Sequence, residues 1–242
     1  MRALVVILSM SILVGACGGS SDRTVLVFAA SSLTDAFAEL ESAYEAQRPE
    51  VDVELNLAGS SALREQILEG APADVFAAAD EAIMAEILAA DLGAEHRGIF
   101  ATNRLGLAVP LGNPGDVTEL ADVGDDGILV GVCAEAVPCG RFAAEVFERA
   151  GITPAPDTRE PDVRSLLTKV AEDELDVGVV YVTDIAASAD EVLGIEIPAA
   201  VNVEVRYPIA TLGSSADGGD FVAFVLSERG RSILAEHGFG TP

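Results

Sequence analysis

The chain has 242 residues, enough for one large domain or for two lobes of about 100 residues each. Half of the residues are apolar, which excludes global disorder, but aromatics make up only 5% and Trp is absent, so the core must come from Ala, Val, Leu and Ile. Acidic residues outnumber basic ones 40 to 14, a formal charge of −26, and such a chain repels nucleic acid at every distance. The charge also sets a condition on any anionic ligand: long-range attraction cannot bring it in, so local hydrogen-bond donors must hold it.

The first segment reads as an export signal. Met1-Arg2 is a short positive start, and residues 3–14 (ALVVILSMSILV) form an apolar run. That run is shorter than the roughly 20 residues a membrane-spanning helix needs, and it suits a signal's apolar region. Val14-Gly15-Ala16-Cys17 follows and resembles the lipobox of bacterial lipoproteins, in which the Cys is acylated and becomes the first residue of the mature chain. The expected division is a signal peptide over 1–16 and a lipid-anchored flexible tether over 17–22, containing Gly18-Gly19-Ser20-Ser21. An ordinary secretory signal with a chance Cys is the alternative. Both readings place the domain outside the cytoplasm, where disulfides persist. With Cys17 used for lipid, Cys133 and Cys139 remain as an even pair, and a disulfide between them is expected. Neither thiol has a His nearby in sequence, and His96 and His237 stand in no metal-ligand spacing.

From residue 24 buried strands alternate with amphipathic helices. Val25–Ala30 is an all-apolar strand. Leu33, Ala36, Phe37, Leu40, Ala43 and Tyr44 make one helical stripe. Val51, Val53, Leu55 and Leu57 alternate as the next strand, and Leu63, Ile67 and Leu68 mark a helix closed by Gly70. Asp74–Ala79 is a buried strand, residues 82–90 a helix, and Leu105–Val109 a strand ended by Pro110, with His96 in a loop between the last two.

After a Gly/Pro/Asp-rich connection the logic restarts. Gly127–Cys133 is a strand, Arg141–Ala150 a helix, Val163–Val170 a helix and Asp176–Val182 a strand. Val201, Val203, Val205 and Tyr207 alternate as a further strand, and helices near 217–227 and 228–236 end at Gly238. This alternation predicts an α/β fold with right-handed crossovers, and the restart near residue 104 predicts two lobes.

Four segments share one design, in which a strand ends in small, polar or Gly/Pro residues and a helix begins at once. They are Phe28–Asp35, Leu57–Leu63, Val137–Phe142 and Glu160–Ser165. A helix N-terminus leaves backbone N–H groups unpaired and carries about half a positive charge, so it binds an anion without a cationic side chain. Each segment alone also reads as plain capping; Ser32 with Asp35 has the spacing of a capping box. Four such ends at the carboxyl edges of strands in both halves point to a cleft between the lobes.

The chain resembles the molybdate-binding proteins of ABC transporters. The matching stretches are VLVFAASSLTDAF (25–37), LNLAGSSALREQILEGAPADVFAAAD (55–80), NRLGLAVPLGNP (103–114), VPCGRFAAEVFERAG (137–151), PDVRSLLTKVAEDELDVGVVYVTD (161–184) and FVLSERGRSILAEHGF (224–239). GAPADVF and VGVVYVTD carry most of the specificity. The resemblance implies a two-lobed periplasmic-binding-protein fold of type II, with mixed, mostly parallel sheets flanked by helices and the ligand cleft between the lobes. Lobe I would hold residues 23–103 and 206–242, and lobe II residues 104–205.

It further implies an extracytoplasmic substrate-binding lipoprotein, attached to the cell membrane by its N-terminal lipid alone. The protein would act as a monomer with an ABC permease and its ATPase, and without a cofactor. The oxyanion, molybdate or tungstate, would sit dehydrated among neutral donors, with no side chain ligating the metal directly. By the match, Ser32 and Ser60 each give a hydroxyl and an N–H, Cys139 and Val163 give backbone N–H groups, and the Tyr181 hydroxyl completes the shell. Ser31 and Ser61 stay open as alternatives to their neighbours. Cys139 departs from the family, where that position is often a plain small residue. With donors alone around it, a protonated oxyanion would meet no acceptor, which favours fully ionised anions.

Three other readings compete. Sulfate or another small oxyanion is the alternative ligand. An enzyme on the same fold, such as the porphobilinogen-polymerising deaminase, would need an Arg-rich cleft and a Cys-tethered cofactor, which the matched loops lack; a Ser–His–Asp hydrolase would need a His beside Ser32 or Ser60. A sensor presenting its ligand to a receptor is the third.

Overall fold

A computed structural model describes residues 23–242. The predicted signal, the Cys17 attachment point and the tether lie outside the described residues. Among the described residues no helix is long and apolar enough to cross a membrane.

The chain builds two five-stranded sheets. The first contains β1 (Arg23–Ala30), β2 (Val51–Ala58), β3 (Val75–Ala77), β4 (Glu95–Asn103) and β10 (Val205–Thr211), in the order β2-β1-β3-β10-β4. The second contains β5 (Leu105–Pro110), β6 (Val130–Cys133), β7 (Thr158–Glu160), β8 (Val177–Tyr181) and β9 (Val192–Glu196), in the order β7-β6-β8-β5-β9. Helices α1 (Thr34–Gln47), α2 (Ser60–Leu68), α3 (Glu81–Ala89), α7 (Ala216–Val225) and α8 (Glu228–Glu236) accompany the first sheet. Helices α4 (Pro138–Ala150), α5 (Val163–Ala171) and α6 (Val182–Ala187) accompany the second. The α/β class and the two lobes are as expected.

Both sheets are mixed, for one reason. β1 pairs parallel with β2 and β3, and β6 pairs parallel with β7 and β8, as crossover helices require. The antiparallel pairings belong to the strands next to the two points where the chain changes lobe. β10 runs against β3 and β4, and β5 runs against β8 and β9. Only Arg104 separates β4 from β5, so the first passage is nearly one continuous strand. The return runs from β9 to β10 through residues 197–204, and Asn202 ties the two passages together. Its Oδ1 accepts from the Leu105 N–H at 3.2 Å and its Nδ2 donates to the Leu105 carbonyl at 2.8 Å.

Val25, Val27, Ala29, Val75 and Ala77 are fully buried, as the short all-apolar runs dictate, and so are Leu105, Leu107, Val177 and Val179 in the other lobe. Each fully buried Val or Leu contributes about 1.5–3 kcal/mol relative to exposure. Phe37, Tyr44 and Phe221 stack edge-on behind the first sheet, which is where most of the few aromatics are spent.

Two sequence expectations are corrected here. The alternation at Val201–Tyr207 is not one strand: β10 starts at Val205 and runs to Thr211, while 198–202 turn around the Asn202 side chain. His96 lies in β4 and not in a loop, because β4 is an edge strand whose first half is polar and exposed. The Cys133–Cys139 disulfide is present, with Cα atoms 5.7 Å apart, and joins the end of β6 to the first turn of α4. Closing so short a loop stabilises by about 2 kcal/mol.

Candidate functional site

The five predicted site residues come together. Ser32, Ser60, Cys139, Val163 and Tyr181 line a single cavity between the lobes, together with Ala30, Ser31, Gly59, Ala79, Val137, Pro138 and Asp162. The centre of a water-sized sphere can range over about 10 Å3 of it, room for one small ion and not for an organic ligand. Larger clefts exist, one of about 640 Å3 along Thr24, Ile67 and Leu92, but no set of helix starts converges on it.

Each wall is a helix start, and each has its first-turn N–H groups disposed differently. β1 ends at Ala30 and passes through a 3-10 turn (Ser31–Leu33) into α1. The capping-box reading of Ser32 fails: α1 has no side-chain cap, the Ser32 hydroxyl is bonded to Tyr207 at 3.0 Å, and Asp35 pairs with Arg164. Helix α2 starts at Ser60 with Gly59 as its N-cap and no side-chain cap, which leaves its first N–H groups free. Helix α4 starts with Pro138, which has no N–H to offer, so Cys139 supplies the first one. In α5 the Asp162 carboxylate accepts from the Arg164 and Ser165 N–H groups at 2.9 and 3.0 Å. The Val163 N–H is the one this cap does not engage.

Four hydroxyl-bearing residues, Ser31, Ser32, Ser60 and Tyr181, are part of the lining. The Ala79 N–H donates to Ser60 Oγ at 3.0 Å; since a backbone N–H can only donate, the Ser60 proton is left for another acceptor. The Tyr181 hydroxyl is buried without a partner, a state that costs about 1–3 kcal/mol unless a ligand meets it. Burial, helped by the nearby Tyr207 and Asp184, pushes the Tyr181 phenol well above its ordinary value, so it stays a neutral O–H donor. Of the two alternatives left open by the sequence, Ser61 is turned away and donates to the Ala136 carbonyl at 2.6 Å, whereas Ser31 lines the cavity.

One feature departs from the donor-only expectation, because Asp162 carries a carboxylate onto the lining. Its oxygens are taken up by α5: besides the two N–H groups, the Ser165 hydroxyl donates to Oδ2 at 2.9 Å. It serves as a cap pointing into its own helix.

The sequence did not announce the charged groups around the cavity. Arg141 donates through Nε to Asp80 at 3.0 Å, joining α4 in one lobe to the N-cap of α3 in the other. Arg164 pairs across the cleft with Asp35, and its Nε lies 3.1 Å from the fully buried Asp184. That second contact is an ion pair without hydrogen-bond alignment, since both Asp184 oxygens and Arg164 Nε lack hydrogen-bond partners. Neither cation is free for a ligand. The lobes also touch through backbone: a Cβ at Gly59 would sit 2.8 Å from the Pro161 carbonyl oxygen. Among the described residues no group of three His, Cys, Asp or Glu side chains is placed to hold a metal ion.

The sequence and its fold of two mixed sheets are matched by known proteins. The family profile described as bacterial extracellular solute-binding protein matches residues 25–240. The chain belongs to that family. Among curated relatives, the molybdate-binding protein ModA of Mycobacterium tuberculosis is 38% identical over 223 residues, 91% of this chain and 85% of that protein. ModA of Haemophilus influenzae is 30% identical over 246 residues, 96% of each chain. The solved periplasmic molybdate-binding protein of Azotobacter vinelandii superposes with a TM-score of 0.79 at 19% identity, covering 90% of this chain and 99% of that one. The two-lobed fold expected of this solute-binding protein is therefore the observed one.

Two outcomes follow from this geometry. Gly59→Ala should leave the solute-binding protein folded but keep the lobes from closing to this distance. Overpacking of this kind costs about 1–3 kcal/mol, so ligand affinity should fall by about tenfold or more in a titration; unchanged affinity would contradict the close approach. The second concerns Asp184, whose carboxyl is pushed up to about 7 by burial, against the pull of Arg164. Between the ordinary 3.8 and about 7, the folded protein holds a proton that the unfolded chain has lost, so this group's contribution to stability falls as pH rises through that window. Asp184→Asn should remove this slope, gaining on wild type by on the order of a few kcal/mol from the acid to the neutral end. Urea unfolding at both ends measures it, and parallel pH curves would refute the assignment.

Proposed function

We propose that this solute-binding protein captures a tetrahedral oxyanion, molybdate or tungstate, and delivers it to an ABC permease driven by its ATPase. The observation that carries the reading is the convergence of four helix starts and of the Ser60 and Tyr181 hydroxyls on a cavity the size of one small ion, with both nearby arginines already paired. A buried dianion needs several charge-assisted hydrogen bonds to offset its desolvation. Backbone N–H groups at helix starts supply them without a counter-charge. Ser32, Ser60, Cys139, Val163 and Tyr181 are the proposed donors, with Ser31 beside them. The relatives named as molybdate-binding proteins favour molybdate over the alternative, sulfate, which would need a smaller cavity; molybdate and tungstate are nearly the same size.

No cofactor has a part in this reading, and neither does catalysis. His96 lies in β4 and His237 meets Glu39 at 3.0 Å, so neither histidine is among the cavity residues. We further propose that Cys17 carries the lipid, that the mature protein is a monomer, and that it works on the outer side of the cell membrane, held there by that lipid alone. The proposal for Cys17 is supported by the aliphatic-small-small-Cys sequence at 14–17.

Isothermal titration should give one molybdate or tungstate per chain, and much weaker sulfate and phosphate. Ser60→Ala and Tyr181→Phe should each weaken molybdate by about 1.5–3 kcal/mol, the range for a hydrogen bond to a charged group. Sulfate as the tightest ligand, or no heat with molybdate, would end the reading. Mass spectrometry of membrane-extracted protein should find a diacylated Cys17 at the mature N-terminus, and any other N-terminus would exclude the anchor.

A further inference from the structure

A hydrogen-bonded chain reaches the cavity from behind, through residues that do not line it. Asn103, at the end of β4, accepts the Arg104 N–H on Oδ1 at 2.9 Å. A backbone N–H can only donate, so this bond settles which end of the amide is oxygen. Nδ2 then donates to Thr183 Oγ1 at 2.8 Å and to the Tyr207 hydroxyl at 3.3 Å. The Tyr207 oxygen is therefore an acceptor toward Asn103. Its remaining hydrogen-bond neighbour is Ser32 Oγ at 3.0 Å. A buried phenolic proton pointed at nothing would cost about 1–3 kcal/mol, so Tyr207 donates to Ser32. With that lone pair filled by Tyr207, the Ser32 proton turns toward the cavity. The Tyr207 ring cannot swing out of line, since Phe100, Tyr181 and Phe239 pack edge-on around it at 6.2, 6.2 and 5.5 Å between centroids.

We propose that Asn103 and Tyr207 are positioning residues that fix the sense of this relay, holding Ser32 as a proton donor to the ligand and so selecting an unprotonated oxyanion. Reversing the relay would let Ser32 donate backward and offer a lone pair to a protonated ligand. It would also strand the Tyr207 proton, because Asn103 presents an N–H there. Discrimination against a ligand O–H thus begins at an amide two side chains behind the cavity. This inference rests on the oxyanion reading above and adds the origin of its selectivity.

The test uses sulfate and hydrogen phosphate in mildly alkaline buffer. Both are doubly charged and of similar size, and they differ by one O–H. Each is measured on the full chain by competition against molybdate. Wild type should prefer sulfate strongly. Asn103→Asp puts an acceptor where the amide N–H stood, so Tyr207 can donate to it and accept from Ser32. The sulfate-to-phosphate preference should fall by about tenfold or more, the equivalent of one hydrogen bond. The added charge acts equally on both anions and drops out of the ratio. Tyr207→Phe cuts the relay while keeping the ring, and should lower the same ratio by a smaller factor.

An unchanged ratio in folded variants, with molybdate binding intact in wild type, would overturn the relay and leave both residues as packing. If Asn103→Asp does not fold, the ratio for Tyr207→Phe decides alone. A wild-type chain that binds no oxyanion would overturn the functional reading itself, and the relay with it.

Discussion

Everything at the centre of this molecule follows from the unpaired N–H groups at the starts of its helices. An α-helix cannot satisfy its first N–H groups internally, and a fold that aims several helix starts at one point must cap them or give them a ligand. Here some of these groups are capped and others are left open toward the cavity. Asp162 takes up the second and third N–H groups of α5, leaving Val163 as the residue open to the cavity. Pro138 deletes one donor from α4 and makes Cys139 the first that remains. The sequence thus trims each helix start to the donors that face the cavity. Two glycines make the geometry possible: Gly59 lets the α2 start approach Pro161, and Gly140 lets the first turn of α4 press on the loop closed by the disulfide, where a Cβ would come within 2.1 Å of the Ala134 carbonyl oxygen.

The lobes meet through pairs that are neutral overall. Asp80 with Arg141 and Asp35 with Arg164 each span the cleft, so every cation near the cavity is matched by a carboxylate from the opposite side. Arg164 is held from behind by Asp184, which is buried without hydrogen bonds of its own. A carboxylate so placed is costly, and its position one turn after Tyr181 explains why the cost is tolerated. It fixes the Arg164 guanidinium between two acids. The arginine thereby braces the two lobes together without becoming a counter-ion for a ligand.

Most of the fold was legible because its signals are local. All-apolar runs of strand length and 3.6-residue stripes identified the central strands and the long helices, and the strand-to-helix junctions around Ser32, Ser60, Cys139 and Val163 could be read within a few residues each. The missed elements are the ones whose burial is partial. β4 begins with exposed Glu95, His96 and Arg97, β9 is largely exposed, β7 has three residues and α6 six. The missed site features are non-local. Ser32 and Tyr207 are 175 residues apart, Asn103 and Tyr207 104, and Arg164 and Asp35 129. No periodicity connects such residues: the return of β10 into the first sheet brings Tyr207 to Ser32 and Asn103, and the meeting of the two lobes brings Arg164 to Asp35. Tyr207 was visible as a strand residue in the alternation, but its hydroxyl points toward a site that the alternation cannot reveal. Asp35 and Asp162 illustrate the same limit from the other side, since cap spacing suits both and only Asp162 caps a helix.

The net charge of −26 opposes the approach of an anion without forbidding its binding, because the two act over different ranges. At physiological ionic strength, exposed charges are screened over about 8 Å, so the acidic surface acts mainly on the approach of an ion and weakly on one already enclosed. Inside the closed cleft, the donors act at hydrogen-bond distance in a medium that screens far less. On the oxyanion reading proposed above, affinity and encounter are separated: the surface sets how often an anion arrives, and the helix starts set how long it stays. A site built from free arginines would have joined the two, attracting every anion in proportion to its charge. A site built from oriented N–H and O–H groups responds to where the oxygens are and whether they carry protons, which is the information needed to tell one small oxyanion from another.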